Sequence, residues 1–321
     1  MQDLSVIKPG SASVDIARQG QNNSLTHHPV TRYLLGYKSP NSRRTMRCNL
    51  NLAVRSFYSR YDILTFPWEK LDDVTVNLML NRVRINHEPD TVSAVRTALL
   101  GITKILWIDG LISERQYCAI KNVRPDVGWH RPRGRMVERG ELKQIFDSLK
   151  ESDSPQAARD ACMIAFMTEC GLRRAETAAL RYENIDLDEQ SFTIIGKRDK
   201  ERICYIPPGA MRSLERYLTY RGDEPGPLFC SINRFGDLSF KGMTPQAVYF
   251  IVKRLKERLQ LEDFSPHDLR RTFATVLLEQ GEDLITVRDM MGHASVSTTQ
   301  RYDKRGEKQK KRAALTLRLA S

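Results

Sequence analysis

Six side chains in the C-terminal half of the sequence are of the types that bind phosphate or attack it: Arg173, Lys197, His267, Arg270, His293 and Tyr302. Tyr302 lies nine residues after His293 in MMGHASVSTTQRYDKRGE, with small hydroxyl residues between them and positive charge after. His267 and Arg270 are three apart in HDLR, so a helix there puts both on one face. Arg173 follows Gly171, a helix-ending residue type, and Lys197 sits where two strands turn, on a side chain long enough to swing. GLRRAE and HDLR carry one acid each, Glu176 and Asp268. Such a cationic group suits a phosphodiester, because arginine forks bind phosphate oxygens in pairs and stabilise developing negative charge. A tyrosine has a solution pKa of about 10, so cationic surroundings help it ionise and act as a nucleophile.

Taken singly, each residue also has an ordinary reading. HDLR fits a helix cap with an ion pair, Lys197 or Lys200 fits a solvated turn, and Tyr302 fits a core position. A metal centre lacks support, since His267 and His293 have no third ligand at suitable spacing and none of the six cysteines forms a C-x-x-C pair. Cys48, Cys118, Cys162, Cys170, Cys204 and Cys230 read as reduced thiols.

The elements that must position these residues are mostly helical. The periodicity predicts helices over 41–60, 74–84 and from Thr91 to Gly110, with Asp90 or Thr91 as cap and Gly110 as stop. Together these make a small all-helical domain over 25–124, after a polar arm at 1–24 that lacks the apolar stretch of a signal peptide. Residues 125–137, rich in Pro, Gly and Arg, read as a basic linker. A second domain over 138–303 reads as helices at 138–150 and 154–170, a short helix after Leu172, two strands around a turn at Lys197–Lys200, and helices at about 208–220, 244–260 and 267–280. The fold class is mainly α, with one small antiparallel sheet.

The net charge of +12 points to a polyanionic partner, nucleic acid before membrane. Residues 1–135 hold 20 Lys/Arg and 11 Asp/Glu, so most of the excess is N-terminal. Arg43, Arg44 and Arg47 of the first helix and Arg131, Arg133 and Arg135 of the linker are the candidate DNA-backbone contacts. No apolar run reads as a membrane span, and the missing signals imply an intracellular protein.

GLRRAE, GKRDKER, HDLRRTFAT and MMGHASVSTTQRYDKR, in this order and spacing and ending in G-H-x(8)-Y, resemble the tyrosine recombinase (phage integrase) family. SRRTMRCNLNLAVRSF and TVSAVRTALLGITKIL look like the family's helical, SAM-like core-binding domain, and RYDKRGE looks like recombinases of plasmids, transposons and genomic islands. The resemblance implies site-specific DNA strand exchange in the bacterial cytoplasm through a 3′-phosphotyrosine and a Holliday junction, without metal, ATP or other cofactor. Tyr302 is then the nucleophile, Arg173 and Arg270 clamp the non-bridging oxygens, and His267 contacts the phosphate and accepts the tyrosine proton. Lys197 protonates the leaving 5′-oxygen, His293 donates to the phosphate, and Glu176 orients its surroundings. Arg198 stands where the family commonly has glycine, which leaves Lys200 as an alternative acid; Lys197, directly after Gly196, matches the family position. The implied partners are a double-stranded recombination site, a homo-tetramer on two synapsed sites and an accessory or directionality factor. The tail 304–321 is expected to dock on a neighbouring protomer. Alternatives are a type IB-like topoisomerase and a DNA-binding protein that does not cut.

Overall fold

The computed structural model describes residues 28–125, 134–196, 201–293, 295–303 and 315. The chain divides into two compact units, 1–131 and 132–321. The predicted arm, most of the linker including Arg131 and Arg133, the turn holding Lys197 and Lys200, and nearly all of the tail lie outside the described residues.

Among the described residues the first unit is all-helical: α1 (Pro29–Leu35), α2 (Pro40–Phe57), α3 (Asp73–Asn86), α4 (Pro89–Ile108) and α5 (Glu114–Asn122). Its core gathers Leu50, Ala53 and Val54 of α2, Val76, Met79, Leu80 and Val83 of α3, and Val95, Leu99, Ile102 and Leu106 of α4. Buried Trp68 satisfies its indole N–H on the Ile63 carbonyl at 2.8 Å. α4 starts at Pro89, with Glu88 rather than Asp90 or Thr91 at the cap position. The fixed φ of proline is already helical, so the helix gains a first turn ahead of the expected cap. By length and composition α4 is apolar enough to cross a membrane, which corrects the expectation that no such run exists. Its apolar residues form the buried stripe of a core helix. α1, capped by His28, and α5, opened by a Ser113–Gln116 capping box, are too short to give a clear periodic signal.

The second unit is built around α7 (Pro155–Glu169), which is buried almost all round from Ala157 to Thr168. α6 (Arg139–Lys150), α9 (Pro208–Arg221) and α11 (Pro266–Gln280) pack against it. α8 (Arg174–Ala179), α10 (Pro245–Arg258), α12 (Leu284–Met291) and α13 (Val296–Gln300) complete the helices of this unit among the described residues. β1 (Ile185–Asp186), β2 (Ser191–Ile195) and β3 (Glu201–Tyr205) form an antiparallel sheet with Phe192 opposite Cys204 and Ile194 opposite Arg202. A second hairpin, β4 (Cys230–Ile232) with β5 (Leu238–Gly242), corrects the expectation of a single sheet. β4 is three residues long and the pairing carries a bulge, so no run of alternation announces it.

The turn leaving α7 sets the entrance to Arg173. Gly171 has φ +68°, and a Cβ there would lie 2.5 Å from the Phe273 ring of α11. We expect Gly171→Ala to destabilise the second unit by about 2 kcal/mol or more, combining left-handed strain with the clash. Urea unfolding checks it, and an unchanged midpoint and slope would show that the turn tolerates a side chain.

Candidate active site

Arg173 sits at the N-terminal cap of α8, where its backbone N–H donates to Glu176 Oε2 at 2.8 Å. Its guanidinium donates to Glu176 Oε1 at 2.6 Å and to the Gly292 carbonyl at 3.0 Å, while the side chain stays 39% exposed. This arginine therefore keeps one face open. Arg270 of α11 does not: it is buried and donates to the carbonyl oxygens of Gly171, at 2.5 Å, and Met291. Its Nε is buried with no hydrogen-bond partner among the described residues. Burial, and then the charge of Arg173, pull the Arg270 pKa down to about 9.

Glu176 holds this cluster together. Its carboxylate takes two hydrogen bonds from Arg202 of β3, at 3.1 and 2.8 Å, besides those from Arg173, and lies 3.5 Å from Arg270. Burial pushes its carboxyl up, but hydrogen bonds from Arg202 and the Arg173 backbone, with the charges of both arginines, win and hold it at about 2. Arg202 was not singled out from the sequence. The signal was there: an arginine at an inward strand position, between exposed Glu201 and Ile203, requires an internal acid.

Tyr302 is buried, and its hydroxyl lies 3.1 Å from His267 Nε2. HDLR is helical as expected, with His267 in the first turn of α11, behind a Ser265–Asp268 capping box. His293 is the third ring of the cluster, its centroid 6.2 Å from that of Tyr302, and its Nδ1 is 2.8 Å from the Thr299 hydroxyl. Burial, then the charges of Arg270 and Arg173, depress the His293 pKa to about 4. The His267 pKa is lowered too, by burial first and then by the charges of Arg270 and Arg271. Both imidazoles are thus neutral at neutral pH, and a neutral ring offers one nitrogen as acceptor and the other as donor.

The structure thus brings together Arg173, Glu176, His267, Arg270, His293 and Tyr302, and Lys197 lies outside the described residues. Gly196, the residue before it, directly follows the strand β2 that pairs with the Arg202-bearing β3. No group of three or more His, Cys, Asp or Glu is placed to hold a metal ion among the described residues. What converges is a cluster of guanidiniums beside a phenol held on a neutral imidazole, a surrounding suited to phosphoryl transfer.

The candidate DNA-backbone arginines divide. Arg44 and Arg47 are exposed on α2, whereas Arg43 donates twice to the Tyr37 carbonyl, at 3.1 and 3.0 Å. Arg135 is committed inside its own unit: its guanidinium pairs with Glu141 at 2.5 and 2.6 Å and donates to the Asp263 and Glu262 carbonyls. That corrects its expected role, because its donors are spent on protein rather than free for phosphate.

Glu176 generates a pH prediction. A carboxyl held at about 2, against 4.5 ordinarily, stabilises the fold by about 3 kcal/mol. Because the folded-state value is depressed, this contribution is complete above pH 4.5 and is lost as pH falls through 2. Glu176→Gln should lose about 3 kcal/mol near neutrality, since it strands buried Arg270 and Arg202. It should also flatten the stability profile between those two pH values. Denaturant midpoints across that window test this; identical profiles for the two proteins would contradict it.

Residues 135–309 match the phage integrase family. The chain is 35% identical over 158 residues to tyrosine recombinase XerD of Neisseria meningitidis serogroup B, a match covering 47% of this chain and 52% of that protein. It therefore spans about half the length of that relative. It is 35% identical over 225 residues to XerD of Listeria monocytogenes serovar 1/2a, covering 67% of this chain and 71% of that one. Among solved structures it resembles the XerH site-specific recombinase bound to difH substrate, with a TM-score of 0.64 and 24% identity over 86% of this chain and 79% of that one. With GLRRAE, HDLRR and G-H-x(8)-Y converging on one cluster, this chain belongs to the phage integrase family, the tyrosine recombinases.

Proposed function

We propose that the protein is a site-specific DNA recombinase that cuts and rejoins DNA through a 3′-phosphotyrosine. The observation that carries this reading is the Tyr302 hydroxyl, 3.1 Å from His267 Nε2 beside the Arg173–Glu176–Arg270 cluster. In the proposed step His267 takes the phenol proton and Tyr302 Oη attacks phosphorus. The bond from phosphorus to the 5′-oxygen breaks, and Lys197 donates a proton to that oxygen, leaving a 5′-hydroxyl. Arg173, with its open face, binds the non-bridging oxygens directly. Arg270, buried beneath them, acts through a charge that low polarity strengthens, and its Nε, which has no hydrogen-bond partner among the described residues, is the group left to donate. His293 donates from the nitrogen not facing Thr299. The ester conserves the energy of the broken bond, so rejoining by a 5′-hydroxyl requires no nucleotide hydrolysis.

Exchange between two duplexes requires two such cuts on each, which a tetramer on two synapsed sites supplies, and bacterial cytoplasmic DNA is the proposed substrate. Arg44 and Arg47 supply non-specific backbone contacts from the first unit. The mobile-element origin suggested by RYDKRGE, an accessory factor and tail docking between protomers belong to the same reading.

Covalent capture tests it. Purified protein is incubated with nicked suicide duplexes tiled across the DNA flanking its gene, and adducts are read on denaturing gels. Wild type should form an adduct, and Tyr302→Phe should lower it by about three orders of magnitude or more while binding persists. Capture that survives in Tyr302→Phe would refute the assignment. Arg44→Ala and Arg47→Ala should each weaken binding evenly across sequences and reduce the slope of log K against log salt by about 0.9. A change confined to one base position would instead mark them as base readers.

A further inference from the structure

We propose that Arg271 is a positioning residue for the nucleophile, its guanidinium held by Asp268 against the Tyr302 ring so that the phenol hydroxyl stays on His267. This rests on reading Tyr302 as the nucleophile. Tyr302 is weakly held along its own segment. It follows α13, a helix of five residues, and its backbone N–H makes only a turn bond to the Thr299 carbonyl, at 2.9 Å. Its ring must be fixed from outside. One side is the apolar cluster of Phe273, Ala274, Leu278, Val287 and Met291. Arg271 lies against the ring, with Cζ 5.4 Å from the centroid, within the range where a cation is drawn to an aromatic face.

The cation is itself fixed. Arg271 Nε lies 3.4 Å from Asp268 Oδ1, with the two side chains only 14% and 7% exposed. Asp268 Oδ1 also accepts from the Arg135 backbone N–H at 3.1 Å, and Oδ2 accepts from the Ser265 N–H at 2.9 Å and hydroxyl at 2.7 Å. The backbone at Gly134 closes over this pair so tightly that a Cβ there would meet Asp268 Oδ1 at 2.3 Å and Arg271 Nη2 at 2.8 Å. The first described residues of the second unit thus grip the carboxylate that grips the cation on the ring. A cavity of about 430 Å³ lined by Gly134, Arg135, His267, Asp268 and Arg271 runs alongside. Arg271 is also one of the charges that lower the His267 pKa, after burial and Arg270, which helps keep the proton acceptor neutral.

The test reads ring position and chemistry separately on the full chain. Tetranitromethane nitrates accessible tyrosines, and peptide mass spectrometry follows Tyr302 against Tyr205, which is 68% exposed. In wild type Tyr302 should react far more slowly than Tyr205. Arg271→Met should raise its relative rate several-fold, Arg271→Lys should restore part of the protection, and Asp268→Asn, which keeps the cation but removes its anchor, should also expose the ring. On cleavable duplex, Arg271→Met should lower the rate of adduct formation about tenfold with DNA affinity unchanged, the scale of one desolvated cation–ring contact. Unaltered protection in both Arg271→Met and Asp268→Asn overturns the proposal, as does lost protection with an unaltered adduct rate. Should Arg271→Met fail to fold, Asp268→Asn and Arg271→Lys carry the same comparison. If wild type forms no adduct on any duplex, the recombinase reading fails, and nitration still decides whether Arg271 holds the ring.

Discussion

The site depends on a single carboxylate shared by three guanidiniums. Arg173, Arg202 and Arg270 arrive from the cap of α8, from β3 and from α11, and all meet Glu176. Like charges brought together out of water repel strongly, and one buried acid makes their assembly tolerable. It does so incompletely. Three cations against one anion leave a positive surplus, and that surplus is what a phosphodiester can neutralise. The same bonds that hold the second unit's segments together thus concentrate the positive charge that the proposed function would use.

The remaining geometry follows from how Arg270 is bonded. Buried inside the unit, it ties α11 to the carbonyl ends of two other elements, at Gly171 after α7 and at Met291, the last residue of α12. Those contacts place the Arg173 cap and the Gly292–His293 turn beside each other, and Arg173 completes the closure by donating to the Gly292 carbonyl. The cationic surroundings then act on the histidines. Both His267 and His293 are held below their ordinary pKa, so the rings beside Tyr302 stay uncharged while the charge resides in guanidiniums. In the proposed reaction that division separates the proton acceptor from the anion clamp, as general base chemistry at neutral pH requires.

The first unit follows a simpler rule. Its helices bury one apolar stripe each, and α4 is apolar enough to act as the centre of the bundle. Its arginines remain at the surface on α2, where Arg44 and Arg47 face solvent, while Arg43 ends on a backbone carbonyl. Arginine is equally suited to both tasks, since its fork matches a carbonyl as readily as a phosphate. Sequence position therefore does not separate structural arginines from interacting ones, and Arg135, with every donor nitrogen turned inward, belongs to the first kind.

The sequence by itself determined the class of the fold and named most of the candidate site. Helical periodicity located α2, α3, α6 and α7, and alternation around GKRDKER located β2 and β3, because long amphipathic or buried segments carry their pattern locally. The motif spacings named Arg173, Glu176, His267, Arg270, His293 and Tyr302, residues whose types already state their chemistry. Short elements such as α1, α13 and β4 carry too few residues for a pattern, and proline shifted the start of α4. Only the tertiary structure decided the partners. That Arg202 rather than solvent satisfies Glu176, that Arg135 serves Glu141, and that Arg271 rests on the Tyr302 ring are contacts between groups 26, 6 and 31 positions apart. The first and last depend on which strand or helix face is packed against which. Even the nearby Arg135–Glu141 pair depends on how the chain enters its unit, where Gly134 closes on Asp268 and Arg271. A charge in a sequence is free to choose among many partners, and burial removes that choice by making every unpaired alternative costly.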